Sequence, residues 1–583
     1  MSKKEVALNP KSKDRKKVIR AIIQAVIVVF LAIVLIRAVF LLNKFEDSTL
    51  AMTNNEGFIA LSYFGVSRGE SPKYVSKDDL EKQLSLLAKQ GYQTVSQQDI
   101  IDFYQQGKPL PEKALYLSFE DGRTDSSVFA QKILEKLNYK ATMYTYANKL
   151  NTKDPKFLKP NHLKVMENSG YWELGSNGYR LTYINVFNDE GKSLGVIDEN
   201  DVPDKMMIEY YNHYLMDFIR DEYMIPTETR GEMEERIAED YELMREIYTE
   251  TLGEVPKAYA IMHANSLYNN MDALAENAND KHIKEQFKMN FNLELDAYND
   301  ADANIYNLSR LQVSPYWPTN HLMMKIQQSS KQEVEFASGD AEMAEQWGLA
   351  NGAAEFLDNE IILTSSPSKE GTLFLQKPVP TAYQFEFDFY GNVIGEQSVY
   401  VNYDATTNSY IRIMLKDNEI IVFEKQPNRE ETIIEHHLLK EIEWSGEDYA
   451  FNKATVYTYR DTQGGSRIDE EEYPRNLKNR RHFMLQIGQG ELKLEVDKEL
   501  ATTFAINEAI QGKQIGFSAA YSKKDTTHEQ YADDIYDTVV ENIKITDESE
   551  QVVFSNQYTE MARVKYNVST WFNNIVDFFI QTF

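Results

Sequence analysis

Hydrophobic and polar positions follow two different patterns along the 583-residue chain. Between residues 57 and 326, apolar runs typical of buried strands, such as FIALSYFGV and KATMYTYAN, are separated by runs with apolar residues at helical spacing, such as KDDLEKQLSLLAKQG. Strands that alternate with helices favour a parallel β layer or a barrel. Residues 57–330 are therefore predicted to form an α/β domain.

From about residue 350 the pattern changes to short β-rich runs with turns between them. Many short strands without helices predict an all-β domain, a β-sandwich or jelly roll, over residues 350–547. The polar stretch 331–349 is interpreted as the linker between the two domains.

The alternation is clearest in the run YQFEFDFYG, where a strand would place four aromatic residues on one face. These residues are Tyr383, Phe385, Phe387 and Phe389. Packing in the core of the sandwich is their expected role, and a platform on which sugars stack is the alternative.

The two ends of the chain differ from both domains. Residues 18–42 form an apolar run of the length that spans a bilayer as a helix, and residues 1–17 are rich in Lys and Arg. The positive-inside rule then places 1–17 in the cytoplasm as a basic tail. We predict a single-pass transmembrane helix, a stalk at 43–56, and an extracellular bulk. A cleaved signal peptide is the alternative, although no small-x-small cleavage site follows the run.

Residues 548–583 are predicted to form a C-terminal amphipathic helix, because apolar side chains such as Val564, Val568 and Trp571 fall on one helical stripe. Such a helix could dock on its own domain, lie in a membrane interface or bind a partner. Its aromatic content favours the membrane or a partner.

Charge and cysteine content narrow the class of partner. The formal net charge is −29 although the first twenty residues carry eight Lys and Arg, so the rest of the chain is still more acidic and no nucleic acid partner is predicted. The chain has no cysteine, which excludes disulfides and thiolate metal sites.

The segment ALYLSFEDG places two adjacent carboxylates, Glu120 and Asp121, directly after an apolar strand. A metal-dependent hydrolase places a base and a metal ligand in such a position. This segment, together with KVMENSGYWELGSNGYRLT and LMREIYTETLGEVPKAYAIMHAN, resembles the polysaccharide deacetylases of the NodB-homology family, in particular those of bacterial exopolysaccharide systems.

The resemblance implies an irregular (β/α) barrel and metal-assisted hydrolysis of an acetamide. In the family one Asp and two His hold the metal, and an adjacent Asp is the base. Asp121 keeps the ligand position and Glu120 occupies the base position, but Asn177 and Leu181 stand where the two His are expected. One carboxylate should not hold Zn²⁺ or a similar ion, so no cofactor is predicted and Glu120 is interpreted as vestigial.

Other side chains near this site are candidates for binding a glycan. They are Tyr63, Tyr179, His263 and Asn265. A metal site relocated to His162, His213 or His263 is a further alternative, which a single histidine per segment does not favour. Residues 350–547 resemble the concanavalin-like, laminin-G-type sandwiches in their strand rhythm, and some domains of that shape bind glycans.

Two main functional hypotheses follow. The first is a catalytically inactive, membrane-anchored subunit that binds polysaccharide or acts as a scaffold, with a membrane glycosyltransferase or synthase as its partner. The second is an active polysaccharide N- or O-deacetylase with an altered site, which would need a divalent metal. A structural envelope protein without glycan contact is the remaining alternative.

Overall fold

The computed structural model describes most of the chain. The described residues are 17–22, 24–25, 43–46, 51–69, 71, 74–188, 190–199, 201, 208–261, 267–268, 271–294, 296–330, 332–391, 395–416, 419–439, 480–488, 490–521, 534–558, 563–564, 567–568 and 570–571. Within these residues, no helix combines the length and apolar character needed to cross a membrane. Most of the predicted transmembrane run and of the predicted C-terminal helix lies outside them.

Seven parallel strands close into a barrel in the first half of the chain. They are Gly57–Tyr63, Ala114–Phe119, Ala141–Tyr146, Trp172–Gly178, Ala258–Ala260, Met289–Glu294 and Leu308–Gln312. The first strand pairs in parallel with both the second and the last, which completes the ring. The predicted α/β barrel is confirmed.

Helices surround this barrel. They are Lys77–Lys89, Gln97–Gln106, Thr124–Leu137, Pro160–Ser169, Arg230–Leu252, Ala273–Gln286 and Thr319–Ser330. Two of them begin with a capping box, in which the Ser96 or Thr229 side chain accepts a backbone N–H of the first turn while an acidic side chain three residues later accepts the cap's own N–H.

Successive residues of each barrel strand face opposite sides. Ile59 and Leu61 belong to the apolar cluster shared with the helices, whereas Phe58 and Ala60 pack inside the barrel with Tyr116. The same alternation turns Ser62 inward, and it turns Glu120 inward just beyond the end of its strand. The inner row therefore leads directly to the candidate site.

Smaller sheets and additional short strands accompany the barrel, and the sequence pattern predicted none of them. Thr182–Asn188 pairs with both Ser193–Asp198 and Ile208–His213 in a three-stranded antiparallel sheet. The other pairings add the strands Met52–Asn54, Val66–Ser67, Val75–Ser76, Gln93–Thr94, Leu110–Pro111 and Tyr298–Asp300.

Two antiparallel sheets pack face to face in the second half of the chain, which confirms the predicted all-β region. The seven-stranded sheet contains Trp347–Asn351, Gly371–Leu375, Glu396–Asp404, Ser409–Lys416, Glu419–Lys425, Thr432–Leu438 and Gln514–Ala520. The eight-stranded sheet contains Ala353–Leu357, Glu360–Thr364, Tyr383–Gly391, Arg481–Gly488, Glu491–Val496, Leu500–Ala505, Asp537–Asp547 and Val552–Ser555. A short helix, Ala341–Ala344, lies within the predicted linker. The domain boundaries themselves stay predictions.

The row of aromatic residues from Tyr383 to Phe389 lies in the core between these two sheets, where each member is at most 3% exposed. The Phe387 ring stacks on Phe483 with centroids 5.1 Å apart and meets Phe517 edge-on at 5.3 Å. The core interpretation of this row is confirmed, and the row offers no platform for sugars.

The barrel and the sandwich meet at a buried polar contact. His321 of the last barrel helix places Nδ1 2.5 Å from Asp537 Oδ2, and Thr364 donates to Asp537 Oδ1 at 2.6 Å. His321 is fully buried, and Trp317 stacks on its ring with centroids 4.6 Å apart. Asn320 adds two hydrogen bonds with the backbone of Ala337. The junction thus rests on groups that are buried and bonded on both sides.

Replacing Asp537 with alanine is expected to lower the free energy of unfolding by about 2–4 kcal/mol, because Thr364 and His321 would each lose a buried partner. Urea unfolding followed by fluorescence measures this. The matched control is Asp358→Ala, which removes an exposed carboxylate that accepts the Tyr558 hydroxyl at 3.4 Å. Equal losses in the two variants would contradict a special role for the buried contact.

Candidate functional site

The ends of the barrel strands bring together residues that are far apart in the sequence. Glu120 and Asp121 follow Ala114–Phe119, Asn177 lies in Trp172–Gly178, and Arg310 lies in Leu308–Gln312. Carboxyl ends of parallel strands meet at one face of a barrel, which is where such folds place their functional groups.

Glu120 is held by a buried arginine. Arg310 donates from Nε to Glu120 Oε1 at 2.7 Å and from Nη2 to Oε2 at 3.2 Å. Ser62 donates its hydroxyl to the same Oε1. The Arg310 side chain is fully buried and that of Glu120 is 6% exposed. This geometry is a bidentate, charge-assisted pair.

Arg310 is itself fixed by the backbone. Its Nη1 donates to the Phe291 carbonyl at 2.8 Å and its Nη2 to the Ile261 carbonyl at 2.9 Å. These two hydrogen bonds and the two to Glu120 lie inside the barrel. Through Arg310, Glu120 is held against the strand Met289–Glu294 and the end of the strand Ala258–Ala260.

Asp121 occupies a left-handed turn with φ of 67°, followed by Gly122 at φ of 61°. A non-glycine residue in this region is uncommon. The Asp121 backbone N–H donates to Asn177 Oδ1 at 3.2 Å, and Asn177 Nδ2 donates to the Ala260 carbonyl at 3.2 Å. Asn177, 1% exposed, thus connects the turn to the strand Ala258–Ala260.

Cationic side chains surround the Asp121 carboxylate. Arg123 Nη1 lies 3.7 Å from Asp121 Oδ2, and the guanidinium lies over the Tyr74 ring at 4.2 Å. Burial raises the pKa of Asp121 to about 6, and the charges of Lys156, Arg123 and Lys149 only partly offset that rise. The charge of the adjacent Glu120 also raises this pKa.

Residues 107–270 match the family described as polysaccharide deacetylase. The chain contains a polysaccharide deacetylase domain.

Two curated relatives match parts of this domain. Over 131 residues the chain is 30% identical to YxkH of Bacillus subtilis (strain 168), whose name places it among polysaccharide deacetylases; the match covers 22% of this chain and 46% of that protein. Over 205 residues it is 27% identical to the poly-beta-1,6-N-acetyl-D-glucosamine N-deacetylase of Escherichia coli (strain K12), covering 34% and 30%. The chain thus spans less than half the length of either relative.

Two solved structures also match part of this chain. A de-N-acetylase from Aggregatibacter actinomycetemcomitans is 20% identical, with a TM-score of 0.35, and the match covers 45% of this chain and 96% of that one. IcaB from Ammonifex degensii is 18% identical, with a TM-score of 0.32, covering 45% and 94%.

The deacetylase domain does not fit the metal that the family resemblance implies. Asn177 uses both ends of its amide in structural hydrogen bonds. Leu181 packs against the apolar cluster that contains Tyr183 and Val186. Within the described part of the chain, no group of three or more His, Cys, Asp or Glu side chains could hold a metal ion. Of the three ligand positions of the family, Asp121 alone keeps a ligating side chain, and the charges of Arg123, Lys149 and Lys156 act on it.

The candidate glycan-binding residues differ in where the structure places them. Tyr63 is fully buried and donates its hydroxyl to Gln83 at 2.9 Å, so its assignment to the site is wrong. Strand alternation points it at the helix layer and turns Ser62 toward Glu120 instead. Tyr179 is half-buried, with Arg180 over its ring at 5.2 Å. His263 and Asn265 lie outside the described residues.

The alternative histidines do not converge on Asp121. His213 is fully buried in the three-stranded sheet, where its ring meets Tyr183 at 5.4 Å and Tyr211 at 5.6 Å. His162 is exposed, and its Nδ1 caps its own helix by accepting from the Lys159 N–H at 3.4 Å.

Sequence reasoning missed Arg310 and Arg123. Arg310 is a single cation inside the otherwise strand-like run LSRLQV, and a charge at an inward position of such a run is the signal that could have identified it. Arg123 follows the Glu–Asp–Gly turn directly, and nothing in the sequence indicates that it is 4% exposed.

The raised pKa of Asp121 predicts a pH dependence of stability. The folded chain holds this proton more tightly than the unfolded chain, whose reference pKa is 3.8, so ionisation opposes folding between pH 4 and 6. Relative to Asp121→Asn, the parent should lose about 2–3 kcal/mol between pH 4 and pH 7.5. Urea unfolding at both pH values measures this, with the exposed Asp201→Asn as control. An equal difference at the two pH values would contradict the assignment.

Proposed function

We propose that this protein is a membrane-anchored, extracytoplasmic deacetylase-like subunit without hydrolase activity. It would bind glycan, or act as a scaffold, in the synthesis or export of a bacterial exopolysaccharide. The deacetylase domain supports the proposal that the ligand is a polysaccharide. The length and apolar character of residues 18–42 support the proposal of a membrane anchor.

The proposal rests on the contacts that Asn177 and Leu181 make at the two positions where the family has its histidine ligands. Metal-assisted hydrolysis needs an ion that polarises the acyl oxygen and lowers the pKa of water. Asn177 is a structural link and Leu181 is an apolar packing residue, so the ligand set is reduced to Asp121.

The state of Glu120 supports the same conclusion. A general base has to accept a proton from water at the reacting centre. Both Glu120 oxygens accept hydrogen bonds from Arg310, and Ser62 donates a further one, so both oxygens are engaged in contacts inside the barrel. The pair serves the fold.

An amino-sugar polymer is the glycan that we propose, because the E. coli relative is named for poly-beta-1,6-N-acetyl-D-glucosamine. The sandwich, which we propose to be concanavalin-like, would hold the polymer or a partner outside the membrane. A membrane glycosyltransferase or synthase is the proposed partner.

Acetate release from N-acetylated β-1,6-linked oligosaccharides tests the proposal, with polymer binding measured on the same full-length chain. We expect polymer binding, and no acetate above the level of an Asp121→Ala control, with Zn²⁺, Mn²⁺, Co²⁺ or Ni²⁺ present. Acetate release that disappears in Asp121→Ala would instead establish the alternative, an active deacetylase with an altered site.

A further inference from the structure

The outer face of the seven-stranded sheet carries a cavity of about 210 Å³ that no described contact of the barrel fills. Its walls come from the neighbouring strands Glu396–Asp404 and Ser409–Lys416, together with Glu370 and Glu431. The volume is below the roughly 300–1,000 Å³ of sites for drug-sized ligands, and it suits a single small ring.

Aromatic side chains form one wall of this cavity. Tyr400 and Tyr410 meet edge to face with ring centroids 5.0 Å apart. Tyr410 continues into a stack with Tyr403 at 6.0 Å, and Tyr403 stacks on Phe374 at 4.2 Å. Such rings present flat apolar faces beside polar tips.

The floor of the cavity is made of small residues. Ser398 is 1% exposed and Ala520 also lines the cavity. Small side chains at these positions keep the depression open between the aromatic wall and the acidic residues.

The charges around the cavity do not cancel. Arg412 donates to both oxygens of Glu431, at 2.9 and 2.6 Å, and Lys416 donates to Glu396 at 2.6 Å. Each of these two carboxylates therefore has its own cation. Glu370 is exposed and accepts the neutral Tyr400 hydroxyl at 2.9 Å. Within the described residues it forms no salt bridge, and the Arg412 charge acts on it from beyond salt-bridge distance.

The pKa values of the two cavity tyrosines are both raised. Burial raises the pKa of Tyr400, and the Glu370 carboxylate raises it further. Burial likewise raises the pKa of Tyr410, to which the Glu431 charge adds. Burial is the larger cause of both rises, and the Arg412 charge lowers the pKa of each group.

We infer that this cavity binds a protonated amino sugar, a pyranose with a free amine, within a glycan chain. The ammonium group would pair with Glu370, and the ring would pack on Tyr410. This inference rests on the proposed function, because the bound cation is identified as an amino sugar only if the protein binds glycan. It places the recognition of de-N-acetylated units on the sandwich and away from the barrel end, where cations surround Asp121.

Calorimetric titration of the full-length chain tests the inference with two probes, oligomers of β-1,6-linked glucosamine and their fully N-acetylated counterparts. We expect the free-amine oligomer to bind about tenfold more tightly, a difference that corresponds to one charge-assisted contact. Glu370→Gln should remove this preference and leave the affinity for the N-acetylated oligomer unchanged.

Further variants separate stacking from charge. Tyr410→Ala should weaken both oligomers, and Tyr410→Phe should keep the affinity of the parent. Glu386→Gln, on the outer face of the other sheet, is the matched control and should change nothing.

The outcomes distinguish the inference from the proposed function. Equal binding of the two oligomers, or a preference that survives in Glu370→Gln, would overturn the inference and leave a glycan-binding subunit in place. No binding of either oligomer would contradict glycan binding by the chain altogether, and the inference with it.

Discussion

Replacing Arg310 with methionine is expected to lower the free energy of unfolding by about 3–5 kcal/mol, because it leaves the buried Glu120 carboxylate without its cation. The double replacement Glu120→Leu with Arg310→Met should be less harmful than the single one, since no charge is then left uncompensated. A double-mutant cycle by urea unfolding measures the coupling.

The control for this cycle is an exposed pair. Lys136 donates to Glu81 at 2.6 Å across two helices, with side chains 62% and 42% exposed. Lys136→Met should leave the free energy of unfolding nearly unchanged. A loss in Arg310→Met as small as that in Lys136→Met would contradict a structural role for the buried pair.

Replacing Phe387 with alanine is expected to cost about 3–5 kcal/mol, because a fully buried ring that contacts Phe483 and Phe517 would leave a cavity between the sheets. Thermal unfolding measures it, with Glu386→Ala on the outer face of the same strand as control. If glycan affinity fell while stability stayed the same, the row would be a binding platform and its core assignment would be wrong.

The regular part of this fold could be predicted from the sequence because its signals are local. Helical spacing in KDDLEKQLSLLAKQG predicted the helix Lys77–Lys89, and alternation in YQFEFDFYG predicted the strand Tyr383–Gly391 with its buried aromatic face. The three-stranded sheet from Thr182 to His213 was not predicted. Its register shifts within both pairings, so no regular alternation marks its strands.

The candidate site could be predicted only in part. Motif positions identified Glu120, Asp121, Asn177 and Leu181, but the state of these residues depends on contacts across the barrel. Arg310 is 190 positions from Glu120, and no local pattern encodes such a pair. Tyr63 was misplaced because a one-residue difference in strand phase reverses the side that a side chain faces.

We propose that the altered site holds no catalytic metal, and the metal content of the purified chain is the direct test. The purified full-length chain would be incubated with Zn²⁺, Mn²⁺, Co²⁺ and Ni²⁺, passed through a desalting column and analysed by mass spectrometry, beside Asp121→Ala. We expect the parent and the variant to retain equal amounts, far below one ion per chain. One ion per chain in the parent, lost in Asp121→Ala, would show that Asp121 holds a metal and that the site is intact.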